Sequence, residues 1–116
     1  MNKLLVSLFL TFAVTGFAQA AGDAAASQEK VAVCAACHGA DGNSASPNFP
    51  KLAGQGERYL LKQLHDIKSG NRQVLEMTGI LTNVSDQDMA DIAAYFASQS
   101  MSVGATDPDK LVAGQA

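Results

Sequence analysis

The chain contains two cysteines, Cys34 and Cys37, and the residue that follows the second is His38. Two thiols three apart at a helix end lie on one side, where they match a pair of vinyl groups along one edge of a planar macrocycle. The next residue then falls beneath the centre of that ring, where an imidazole nitrogen can bind iron. Cys34-Ala35-Ala36-Cys37-His38 therefore has the C-x-x-C-H form of a haem attachment site. Three other chemistries use similar residues. A redox dithiol of the C-x-x-C type needs a βαβ context, and no strand pattern is legible here. A zinc site needs four ligands, and beyond these three only His65 offers a soft donor, at no finger spacing. A plain disulfide leaves His38 without a part. One haem c, held covalently by Cys34 and Cys37 with His38 on the iron, explains all three residues together.

The second axial position has four candidates, Met77, Met89, Met101 and His65. Met89 falls on the apolar stripe of a helical segment, so core packing accounts for it. Met101 lies in a linker-like stretch, and His65 sits at the edge of an apolar helix face, where a solvated histidine is the plainer reading. Met77 alone lies in an irregular segment between helices, from which a flexible thioether can swing onto iron, giving the His/Met pairing of electron-carrying cytochromes. A ligating imidazole normally donates its other N–H to an oxygen. The Pro50 carbonyl would serve, and Leu52 could cover the haem, although a proline in this loop also reads simply as a turn former.

The elements that must position these residues are helical. A first helix is expected over 24–36, with Asp23 or Ser27 as N-cap. A loop rich in Gly, Asn, Ser and Pro follows over 39–56. Leu60, Leu64 and Ile67 recur at helical spacing and predict a helix over 57–69, stopped by Gly70. Residues 71–84 lack periodicity. Ser85 is a good N-cap, with three aspartates nearby to suit the helix dipole, for a last helix carrying Met89, Ile92, Ala93 and Phe96 on one face. Residues 109–116 could start another helix but have nothing left to pack against. The fold class expected is all-α.

At the N-terminus Lys3 precedes an apolar run over 4–17 and then Ala18-Gln19-Ala20, the form of a secretory signal peptide cut after Ala20. The run is shorter than the ~20 apolar residues of a membrane span. The expected organisation is a signal over 1–20, a haem domain over 21–100 and a linker-like tail over 101–116, exported to the periplasm as a soluble or peripherally membrane-associated protein. Without the signal the aromatics reduce to Phe49, Phe96, Tyr59 and Tyr95, and there is no Trp. So small a domain is short of core unless a large apolar group fills it. Eight basic and eleven acidic residues give a formal charge of −3, or −4 once Lys3 is removed. An acidic chain without basic runs argues against nucleic acid and against anionic membrane surfaces.

Several stretches extend the motif. Cys34-Ala-Ala-Cys-His-Gly-Ala-Asp-Gly-Asn43, Asn48-Phe-Pro-Lys-Leu-Ala-Gly-Gln-Gly-Glu-Arg-Tyr59, Leu75-Glu-Met-Thr-Gly79, Ser85-Asp-Gln-Asp88 and Ala94-Tyr-Phe96 resemble the class I cytochromes c. Within that class they are most similar to the first haem domain of the cytochrome c4 group. The resemblance covers essentially all of the chain beyond the signal. It implies a helical fold whose N- and C-terminal helices cross beside one haem, with His38 and Met77 as axial ligands. It also implies single-electron transfer in respiration, from a quinol-oxidising cytochrome bc complex toward a terminal oxidase, with no small-molecule substrate. That group carries two haem domains and this chain ends where the second would begin, so a second haem domain or self-association is among the expected partners. The rival reading is a haem enzyme or a gas or redox sensor with an open or displaceable sixth ligand, against which Met77 argues.

Overall fold

The computed structural model describes residues 21–104, and the expected signal over 1–20 and most of the expected tail lie outside that range. Three α-helices make up the regular structure: α1 (Ala32–His38), α2 (Glu57–Ser69) and α3 (Asp86–Ser98). Two 3₁₀ turns, Ala25–Ser27 and Leu75–Met77, complete it, and no strand occurs among the described residues.

The single helix expected over 24–36 is instead a 3₁₀ turn, a run of turns and then α1. Ser27 explains the break. Its hydroxyl donates to Ala24 O at 2.6 Å, and its carbonyl accepts from both Lys30 N at 2.8 Å and Val31 N at 2.9 Å, which tightens the chain there. Ser27 is therefore fully buried rather than a cap, and the Asp23 carboxylate receives Ala25 N at 2.9 Å. Lys30 is thereby aimed at α3, where its ammonium lies 2.7 Å from both Asp88 and Asp91, and these hydrogen bonds hold it above its ordinary pKa.

Helix α2 ends where Gly70 adopts φ 82°, with its N–H on Ile67 O. Gly has no Cβ to oppose that left-handed turn. Helix α3 begins in a capping box: Ser85 Oγ accepts from Asp88 N at 3.1 Å, and Asp88 Oδ2 accepts from Ser85 N at 3.2 Å. Its apolar stripe is the centre of the molecule. Met89, Ile92, Ala93 and Phe96 are all buried, and Val31 and Leu60 join Ile92, Ala93 and Phe96 in the core cluster.

The N-terminal residues cross α3 chiefly through the turns before α1. A Cβ on Gly22 would lie 2.0 Å from Ala90 O, so the chains touch backbone to backbone. Asp23 N donates to Asp91 Oδ1 at 2.8 Å, and Asp91 also accepts from Lys30 and from Gln87 Nε2. Those donors, the Asp23 N–H foremost, pull the Asp91 pKa down to about 2. Four of the buried apolar residues, Ala53, Ala90, Ala93 and Ala94, are alanines, so the protein's own core is thin. The 39–56 loop is pinned to α3 by Tyr95 Oη on Ala40 O at 2.8 Å and by Gly54 N on Phe96 O at 2.9 Å.

Candidate functional site

Thin packing leaves a mainly apolar cleft of about 230 Å³ among the end of α1, the 48–55 stretch of the loop, α2, the 72–80 segment and α3. The end of α1 supplies Cys34, Cys37 and His38 to its wall. Both cysteines are half-buried free thiols in this structure, and burial pushes the Cys34 thiol up. His38 is buried, its Nδ1 lies 2.8 Å from Pro50 O, and Phe49 packs edge-on to its ring at 6.3 Å. A carbonyl can only accept, so Nδ1 carries the proton and Nε2 keeps a free lone pair. Leu52 lines the cleft next to this carbonyl and packs on the core cluster.

The four candidates for a second axial ligand separate cleanly. Met77 lines the cleft from the Leu75–Met77 turn. Met89 is fully buried in the core and does not line the cleft. Met101 is 45 % exposed and lies against Gly54. His65 is outside the cleft, its Nδ1 3.9 Å from Asp86 Oδ1 at the start of α3.

Arg72 escaped the sequence reading. Among the described residues it is the sole Lys or Arg lining the cleft, and its Nη1 donates to Gln63 Oε1 at 2.6 Å, another lining residue. The turn at Gly70 sends the chain back along α2, where Arg72 N reaches Asp66 O at 2.9 Å, and this reversal brings the guanidinium to the cleft. A Gly stop followed closely by Arg was the available signal. Two thiols, an imidazole with a free Nε2, a thioether and one guanidinium around apolar walls are a donor set that fits a planar iron macrocycle bearing two carboxylates.

The family model described as Cytochrome c matches residues 20–100. Cytochrome c4 of Pseudomonas aeruginosa is 76 % identical over 116 residues, covering all of this chain and 58 % of that protein. Cytochrome c4 of Azotobacter vinelandii is 65 % identical over 124 residues, covering 99 % of this chain and 59 % of that protein. The crystal structure of reduced recombinant cytochrome c4 from Pseudomonas stutzeri superposes with a TM-score of 0.74 at 67 % identity, over 77 % of this chain and 52 % of that one. The chain thus spans somewhat under two thirds of the length of these curated relatives.

Proposed function

The chain belongs to the cytochrome c family, and on that premise we propose that it is a one-electron carrier of the periplasm. Its cofactor is one haem c. When bound, the haem supplies reversible one-electron exchange between Fe(III) and Fe(II).

Cys34 and Cys37 are the covalent anchors and His38 is the proximal ligand. The Pro50 carbonyl fixes the tautomer and the ring plane of His38, so that Nε2 is the binding atom. Met77 is the second ligand, and its thioether favours the reduced iron relative to a second histidine. Leu52, Leu64, Ile67, Ile92 and Phe96 line the walls and exclude water from the macrocycle. Arg72, oriented by Gln63, offsets the charge of the haem carboxylates. With His38 and Met77 both holding the iron, the chain would leave no open position for substrate turnover, and electron carriage is the function that fits.

Electrons pass from a quinol-oxidising bc complex toward a terminal oxidase. Val33 and Tyr59, each about half exposed, put apolar surface at the cleft, beside the exposed Asn48, Arg72 and Glu76. The observation that carries the proposal is that, of Met77, Met89 and Met101, only Met77 shares the cleft with a His38 whose Nδ1 is already committed to Pro50 O. Visible spectra of both redox states test it. A sulfur-to-iron charge-transfer band is expected in the oxidised protein, and high-spin features at neutral pH would point instead to an open sixth position.

A further inference from the structure

Beyond α3 the chain does not leave directly. Residues 100–102 return across the loop that follows His38, and Asn43 meets them from both ends of its amide. Asn43 Nδ2 donates to Ser100 O at 2.9 Å, and Asn43 Oδ1 accepts from Ser102 N at 2.7 Å and Ser102 Oγ at 3.1 Å. Lys51 Nζ donates to Ser102 O and, at 3.1 Å, lies on Ser102 Oγ. The two loop residues gripped in this way are placed unusually. Asn43 follows Gly42, whose carbonyl accepts from Leu52 N at 2.8 Å and Ala53 N at 3.2 Å, and Lys51 follows Pro50, whose carbonyl holds His38 Nδ1. The strap therefore closes a ring of contacts through Asn43, Gly42, Leu52 and Lys51, one residue along the chain from the Pro50 carbonyl that orients the imidazole. Tyr95 and Phe96 pin the same loop from α3 itself, whereas the strap comes from chain beyond α3.

We propose that Asn43 is a positioning residue for His38, holding the Pro50 carbonyl on Nδ1 through the Ser100–Ser102 strap, so that the segment after α3 sets the electron affinity of the iron. This rests on His38 being the iron ligand. A firm N–H···O=C bond makes the imidazole more basic and favours Fe(III), so loosening the strap raises the reduction potential.

The test uses the full haem-loaded chain with Asn43→Ala, Ser102→Pro and the pair together. Ser102→Pro deletes both the backbone donor and the hydroxyl that meet the loop, while leaving every loop residue unsubstituted. Each single variant should shift the potential upward and move the His38 Nδ1–H proton resonance in the reduced protein. The double variant should shift no further than the larger single, as groups acting in one link do. Ser102→Ala, which keeps the backbone N–H, should shift less than Ser102→Pro. A lowered melting temperature with potential and N–H resonance unmoved would show a purely structural strap and overturn the proposal. So would additive shifts, or a fall in potential. Failure of the ligand reading is seen separately, in the unsubstituted oxidised protein, as His38 ring protons without the hyperfine shift of an iron ligand, and that result overturns both.

Discussion

Replacing Gly42 by alanine separates two costs that glycine usually hides together. Gly42 has φ 80°, a left-handed conformation that costs an L-residue roughly 1–2 kcal/mol. An added Cβ would also lie 2.7 Å from Ala53 N and 2.7 Å from Phe96 Cδ1. Neither neighbour can retreat: Ala53 N is hydrogen-bonded to Gly42 O, and Phe96 is fully buried in the core. Overpacking of this kind adds about 1–3 kcal/mol, so Gly42→Ala should destabilise by about 2–5 kcal/mol. Gly70 is the internal control, with φ 82° and nothing within 4 Å of its Cβ position, so Gly70→Ala carries the torsional cost alone. A domain of this size loses about 4–8 °C of melting temperature per kcal/mol. Thermal unfolding of the haem-loaded protein, followed by far-UV circular dichroism, should therefore place Gly42→Ala well below Gly70→Ala, and both below the unsubstituted chain. Equal melting temperatures for the two variants would refute the steric argument, because only the contacts of the Cβ distinguish them.

Met77→Ala should leave the haem attached, abolish the sulfur-to-iron band and lower the potential, while Met89→Leu should keep the band and cost less than ~1.5 kcal/mol; the reverse pattern in the spectra would exchange their roles. Asp91 contributes stability that is full above its unfolded pKa near ~4 and is lost as pH falls through its folded value of about 2. Asp91→Asn should accordingly lower the melting temperature at neutral pH and flatten its acid dependence in that window, which melts from neutral to strongly acidic pH will show. Docking through a contact centred on the apolar Val33 and Tyr59, with few charges at its edge, predicts that oxidation by a partner oxidase depends weakly on ionic strength, because scattered charges are screened with little loss. A rate in stopped-flow mixing that collapses between low and physiological salt would reject that docking surface.

Local chemistry carried the reading a long way where a residue's role depends on its neighbours in the chain. The C-x-x-C-H run is legible because the attachment and ligation proposed for it would use adjacent positions, and the structure places all three residues on one cleft wall. Helix α2 was legible to both ends from the Leu60, Leu64, Ile67 period and the Gly70 stop, and α3 from the Ser85 cap and the stripe ending at Phe96. That Met89 packs in the core while Met77 lines the cleft follows the presence or absence of periodicity, which reports burial. What the sequence could not disclose depends on contacts between distant residues. The first helix breaks because Ser27 is buried and Lys30 is drawn to Asp91, 61 residues away. Arg72 reaches the cleft because one left-handed glycine turns the backbone, a direction that spacing alone does not encode. Asn43 looks like an ordinary turn residue, and only the packed fold lays Ser102 against it, 59 positions later. Periodicity records which face of an element is buried, whereas the partner on that face is chosen by the arrangement of all the elements at once.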